Sequence, residues 1–295
     1  VTSNPNFMNQ RPVILDFDRS VGELPDALHV DLADRQETLR FGCSIANMEA
    51  FSRQLDAVLP AEYGTVFMGS GDFHHISWPL IRRLRNKGPF QVIVFDNHPD
   101  NMRFPFGVHC GSWVRRVAAL AHVSHVHVVG ITSNDVGVAH AWENYLRPLY
   151  AGKLTNWCMD VDTRWATRIG LGRSFKVFPD PDALIAHFIA MLEQSPQLTY
   201  LSIDKDALSP DAAHTNWDQG RLLEHHLNAV IDTLASHLIG SDINGEVSAH
   251  EYATPWKRWL SRADGQAAVP TTELALWQVQ QRALNHRLLA RIQGC

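Results

Sequence analysis

Val92-Ile93-Val94-Phe95-Asp96-Asn97-His98-Pro99-Asp100 is an apolar, strand-like run that ends in three ligand-type side chains. Along an extended chain residues i, i+2 and i+4 point the same way. Asp96, His98 and Asp100 therefore converge on one point if the extended geometry continues past the strand end. A second stretch has the same construction: Leu198-Thr199-Tyr200-Leu201 runs into Ser202-Ile203-Asp204-Lys205-Asp206, which brings Asp204 and Asp206 together. The plain alternative is a pair of strand-end turns capped by Asp and Asn. Carboxylates, however, are almost never fully buried unless paired or bound to a metal. Five ligand-type groups, four carboxylates and one imidazole, delivered by two strand ends can build a site for divalent metal.

The same grammar repeats along the chain. Further strand-like runs are Val13-Ile14-Leu15-Asp16, Thr65 to Gly69, Val126 to Gly130, Phe175 to Phe178 and Leu238 to Asp242. Helical patterns lie between them. From Asp182 to Gln194, Leu184, Ile185, Phe188, Ile189 and Leu192 recur at helical spacing and form one apolar stripe. Leu222 to Leu234 and Glu273 to Ile292 read similarly. Strands separated by helices imply βαβ units and a mainly parallel sheet covered on both faces, an α/β fold of three αβα layers. No internal repeat, low-complexity tract or linker divides residues 1–295, so one domain is expected. In such open sheets ligands bind at the carboxyl ends of the strands, where the acidic motifs lie.

Composition narrows the class. Hydrophobic residues make up 45% and charged residues 19% of the 295, the balance of a globular protein rather than a disordered one. No uncharged apolar run approaches the roughly 20 residues of a membrane span, and the N-terminus lacks the basic-then-apolar order of a signal peptide. A formal charge of −5 argues against nucleic acid as the main partner. The cysteines, Cys43, Cys110, Cys158 and Cys295, are scattered without a CxxC pair, which fits a reducing compartment, with cytoplasm the expected location.

A third segment joins the two acidic ones: Gly69-Ser70-Gly71-Asp72-Phe73-His74-His75-Ile76-Ser77 follows another strand and opens a helix-like stretch. With it, the sequence resembles the arginase/agmatinase (ureohydrolase) family. That family's metal motifs are Gly-Gly-Asp-His, Asp-Ala-His-x-Asp and Ser-x-Asp-x-Asp, in this chain order. The resemblance implies an arginase-like fold and two divalent ions. One would be held by His74, Asp96, Asp100 and Asp204, the other by Asp96, His98, Asp204 and Asp206. One extra residue precedes the histidine here, so His75 stands as the alternative to His74. Four carboxylates and two imidazoles with no thiolate suit Mn²⁺ better than a structural zinc. Two ions sharing a bridging water would lower its pKa towards neutrality and generate hydroxide as nucleophile.

The resemblance supplies further expectations. His109-Cys110-Gly111 resembles the family's His-Gly segment, which implies a proton-shuttling His109, a task suited to an imidazole of ordinary pKa. Asp242-Ile243-Asn244-Gly245-Glu246-Val247 resembles an Asp-x-x-Glu-Val segment with one inserted residue, which implies that Glu246 pairs with a substrate guanidinium. Asp100 could relay a proton. The implied reaction is hydrolysis of a guanidino, amidino or formimino carbon, releasing urea or a related amide and an amine. The implied assembly is a homo-oligomer, with no membrane partner.

Departures cluster where substrate would be recognised. Residues 101–108 are short and apolar, the loop after Asp206 keeps only Pro210 and a general layout, and Ser248-Ala249 stands where Asn-Pro is expected. These weaken the case for L-arginine. Two other readings remain: a deacetylase-type amidohydrolase of the same fold type using one zinc, and a non-catalytic metal-binding relative. Cys110 reads as a small buried hydrophobe. His225-His226 read as surface positions, and Trp113 and Trp217 as candidate walls of the substrate cavity.

Overall fold

The computed structural model describes residue 7, residues 9–263 and residues 269–294; Cys295 and most of the N-terminal stretch lie outside the described residues. Among the described residues there are eleven strands: β1 (Val13–Asp16), β2 (Leu28–Asp31), β3 (Gly42–Cys43), β4 (Val66–Phe67), β5 (Phe90–Phe95), β6 (Val108–His109), β7 (Val123–Ile131), β8 (Leu154–Met159), β9 (Phe175–Phe178), β10 (Thr199–Asp204) and β11 (Leu238–Asn244). Nine of them form one sheet in the order β2-β1-β4-β11-β10-β5-β7-β8-β9, and every pairing in it is parallel. β3 and β6 make a separate antiparallel pair.

Strand pleating sorts the apolar residues into two cores. Val92 and Val94 pack on one face with Val126 and Val128, while Ile93 and Phe95 pack on the other with Val129, Leu201 and Ile203. This is the alternation of side chains along a strand. Both faces are apolar because helices cover both. Met48, Phe51 and Leu55 of the helix Ile45–Val58 cover the first face. The second is covered by Leu184, Phe188 and Leu192 of the helix Pro181–Gln194 and by Leu284, Leu288 and Ile292 of the helix Thr271–Gln293. The helix Pro181–Gln194 begins where Asp180 caps it, its side chain accepting from Ala183 N at 2.8 Å, with Pro181 in the first turn. The three-layer α/β expectation holds.

Two sheet strands escaped the sequence reading. β2 is a half-exposed edge strand, and in β8 the polar Thr155-Asn156 interrupts the apolar run, although all of β8 is buried. His226 is also corrected: it is buried rather than on the surface. Its Nδ1 accepts from Leu223 N at 2.9 Å and its Nε2 faces Asp182 at 3.0 Å, so it fastens the start of the helix Glu224–Leu234.

The order of the central strands places the motifs. β4, β11, β10 and β5 are consecutive in the sheet, so their carboxyl-terminal loops carry the His74 segment, Gly245-Glu246, Asp204/Asp206 and Asp96–Asp100 side by side. No helix among the described residues is long and apolar enough to cross a membrane.

Candidate metal centre

The convergence of Asp96, His98 and Asp100 is real, but its cause differs from a continued pleat. β5 ends at Phe95. Beyond it His98 N donates to Asp96 Oδ1 at 2.6 Å, and Asp100 takes the left-handed conformation at φ 46°. A short side-chain-to-backbone bond of this kind bends the chain back on itself. Likewise a single 3₁₀ turn, Lys205–Ala207, follows β10, with Asp206 N donating to Asp204 Oδ1 at 3.1 Å. Polar residues that the sequence offers as metal ligands thus also make the turns that aim them.

His74, not His75, enters the cluster. Its Nδ1 lies 3.1 Å from Asp96 Oδ2, 3.2 Å from Asp100 Oδ2 and 3.4 Å from Asp204 Oδ2. On its other side Nε2 is 3.0 Å from Ser202 Oγ, and that hydroxyl donates to Asp242 Oδ1 at 2.7 Å. With the serine proton committed to Asp242, Ser202 accepts from His74 Nε2–H, so Nδ1 is the nitrogen turned to the carboxylates, and against the cost of burial its bonds to Asp100 and Asp96 hold the ring's pKa well above the ordinary value. His98 Nδ1 lies 3.0 Å from Asp206 Oδ2 and 3.4 Å from Asp96 Oδ1. Two ligand sets result, His74/Asp96/Asp100 and Asp96/His98/Asp206, which share Asp96. Trp113 Nε1 donates to Asp100 Oδ2 at 2.6 Å. Gly71 lets the backbone approach: a Cβ there would stand 2.9 Å from Asp204 Oδ2 and 3.2 Å from Trp217.

The electrostatics of the cluster fit a cationic guest. Burial, with the charge of Asp96 added, pushes Asp100 up to about 8 and Asp206 up to about 6. Burial and the charge of Asp206 hold Asp204 well above the usual carboxylate range. Asp96 Oδ2 is buried without a hydrogen bond, although it faces His74. Lys205, between two of the aspartates, gives its ammonium to Glu246 instead. Crowded, buried carboxylates with free lone pairs are what hard divalent ions bind, so the residues present fit two such ions.

The cluster forms the floor of a cavity of about 570 Å³. His109, Trp217, Asp218, Asp135, His140 and Glu143 line its walls, and among the described lining residues there is no Lys or Arg. Trp113, by contrast, is fully buried behind His74 rather than on the wall. Cys110 packs in an apolar cluster with Phe41 and Tyr252. Asp218 was missed by sequence reasoning. Nothing in its loop marks it, because only the fold brings it to His98, where Oδ1 is 2.7 Å from Nε2.

Two expectations need correction. Glu246 does not face the cavity: it is fully buried, its Oε1 accepting from Lys205 Nζ at 2.6 Å and Asn285 Nδ2 at 2.8 Å. The unforeseen Lys205 takes the charge that a substrate guanidinium would have met. His109 does line the cavity, but not with an ordinary pKa. Burial, then the charge of Arg115, push it down to about 3. Its Nδ1 accepts from Gly111 N at 3.1 Å, so the neutral ring carries its proton on Nε2.

Comparison with known proteins agrees with this geometry. The Arginase family model matches residues 11–151. A relative from Thermotoga maritima, itself described only as an uncharacterized protein, is 30% identical over 205 residues, and the match spans 69% of this chain and 65% of that relative. The solved arginase from Bacillus subtilis superposes with a TM-score of 0.57 at 12% identity, covering 97% of this chain and 99% of that one. The formimidoylglutamase from Bacillus subtilis gives a TM-score of 0.53 at 14% identity, covering 96% and 86%. At such identities the superpositions speak for the fold alone. The sequence thus matches the Arginase family model over residues 11–151, and the fold as a whole is similar to that of solved arginases.

Proposed function

We propose that this chain is a metal-dependent hydrolase that uses two divalent ions, Mn²⁺ by donor chemistry, to cleave the C–N bond of a guanidino, amidino or formimino compound. The observation that carries this reading is the pair of buried ligand sets sharing Asp96 on the cavity floor. His74, Asp96, Asp100 and Asp204 would hold one ion, and Asp96, His98, Asp204 and Asp206 the other. Ions so bound supply a water-derived nucleophile at neutral pH and polarise the substrate.

The remaining steps belong to the chain's own groups. Trp113 fixes the Asp100 carboxyl, which is placed to take and pass on a proton. His109, neutral with its proton on Nε2, can hydrogen-bond the reacting group from the wall, while the proton the departing amine takes is the one that Asp100 passes on. The flat indole of Trp217, stacked on Phe41 at 6.2 Å and lining the cavity, offers a face to a planar cation. Asp135, Glu143 and Asp218 make the wall acidic, and a wall of one charge sign attracts the opposite ion. This favours a guanidino substrate whose far end is neutral or cationic over one ending in a carboxylate. A deacetylase using a single zinc is disfavoured, because the shared Asp96 joins two ligand sets rather than completing one.

The test is elemental analysis of reconstituted protein, followed by urea or formamide release from arginine, agmatine, guanidinobutyrate, guanidinopropionate and formimidoylglutamate. Two manganese ions per chain are expected, with turnover that requires them and is highest for agmatine-like amines. One zinc per chain with acetyl-lysine or acetyl-polyamine turnover would replace this reading by the deacetylase one. Full metal loading without turnover of any of these compounds would favour a binding protein.

A further inference from the structure

Asp218 lies in the segment 207–220 that departs from the family pattern, yet its carboxylate meets His98 from the side away from the ligand cluster. His98 Nε2 is 2.7 Å from Asp218 Oδ1, while Nδ1 faces Asp206 Oδ2 at 3.0 Å and Asp96 Oδ1 at 3.4 Å. We propose that Asp218 is a positioning residue for the second ion: it takes the Nε2–H of His98 and so holds the ring with its Nδ1 lone pair aimed between Asp96 and Asp206. The proposal rests on the two-ion reading above.

An imidazole has two nitrogens, and which one is free for a metal is set by the bond the other makes. Asp218 is itself held in place. Asn97 Nδ2 donates to its Oδ2 at 3.0 Å and to its carbonyl oxygen at 3.1 Å. Asn97 Oδ1 in turn accepts from Thr132 N at 3.0 Å and Thr132 Oγ1 at 2.6 Å, just beyond β7. The loop is tied to the other ligand segment as well, with Gly220 N donating to Asp206 O at 2.7 Å and Leu222 N to Ala207 O at 3.1 Å. The Asp218 side chain is 65% exposed. A carboxylate so open to solvent contributes little to folding, so a frame of this kind serves the geometry of His98. The same exposure places Asp218 on the cavity wall, which makes direct contact with the substrate the competing explanation.

Metal-free protein prepared with a chelator is titrated with Mn²⁺ by calorimetry and followed by electron paramagnetic resonance, for the wild type, Asp218→Ala and Asp218→Asn. Thermal melts in chelator establish that each variant is folded. Where Asp218→Ala does not fold, Asp218→Ser serves, its hydroxyl being too short to reach Nε2. The expected result is a first ion bound as in the wild type and a second bound about 10–100-fold more weakly in Asp218→Ala. The spin-coupled signal of an adjacent Mn²⁺ pair then gives way to that of an isolated ion. Asp218→Asn keeps a carbonyl oxygen for Nε2–H and recovers most of the affinity. Unchanged second-ion affinity with only a raised KM would make Asp218 a substrate contact and overturn the proposal. Equal weakening of both ions overturns it too. A wild type that takes fewer than two ions brings down the two-ion reading and this proposal together, whereas two ions bound with the same affinities in both proteins bring down this proposal alone.

Discussion

His74 illustrates how much chemistry a buried side chain owes to its neighbours. Its ring is fixed from behind by the chain Asp242–Ser202, so that Nδ1 is presented to three carboxylates. Ser202→Ala removes the acceptor of a buried N–H, and an unsatisfied buried donor costs about 1–3 kcal/mol. Urea denaturation of metal-free protein is expected to show a loss of that size, with the slope of the transition unchanged. The carboxyl groups make a second prediction. Asp100, pushed up to about 8, and Asp206, pushed up to about 6, retain protons that an incoming ion must displace. Mn²⁺ affinity therefore rises with pH from 6 to 8 as Asp100 gives up its proton, and falls more steeply below 6 where Asp206 holds one too. Calorimetry at pH 7 in two buffers of different ionisation enthalpy should record proton release on binding. A pH-independent affinity with no release would contradict it. His75 and Glu246 show the reverse side of reading residues one at a time. Each has the right chemistry, but each is aimed elsewhere, and no local pattern in the sequence reports that aim.

At the scale of elements, most of the sheet was legible. β1 coincides with its apolar run, because a strand buried on both faces needs a nearly continuous series of apolar residues, and β9 was found from Phe175, Val177 and Phe178 although it is a half-exposed edge strand. β8 was not legible, since the polar Thr155-Asn156 sits inside a fully buried strand. The strand-end turns were read as extensions of the strands; Asp96 and Asp204 instead cap turns with their own carboxylates, a role that composition alone does not separate from ligation. The turn after β11 is the tightest of these features. Gly245 has φ 91°, and a Cβ there would stand 2.4 Å from Asp204 Oδ1 and 2.6 Å from Lys205 N. Gly245→Ala combines a left-handed backbone, at roughly 1–2 kcal/mol, with displacement of a carboxylate both ions would share. It is expected to lower the melting temperature and to abolish uptake of both ions, measured by melting and elemental analysis. Wild-type ion content in this variant would show that Asp204 has room to move.

For the whole molecule, the site is a product of strand order. Four neighbouring strands, β4, β11, β10 and β5, deliver segments that lie far apart in sequence to one crevice, and two apolar cores hold those strand ends fixed. Because the ligands belong to the folded state, ions that bind there stabilise it by mass action. Mn²⁺ at a free concentration 100 times the dissociation constant is expected to add about 2.7 kcal/mol per independent site. Thermal melts in manganese and in chelator should separate accordingly, and coincident melts would show that the crevice does not hold metal in the native state. The sequence by itself determined the α/β class, the parallel sheet and the types of ligand, because apolar runs and the spacing of acidic residues are local properties that a chain cannot hide. Only the tertiary structure decided which histidine faces the carboxylates, that Lys205 occupies Glu246, and that Asp218 stands behind His98. Those choices depend on side-chain direction and on neighbours 41 to 128 residues away, which packing sets and linear order does not.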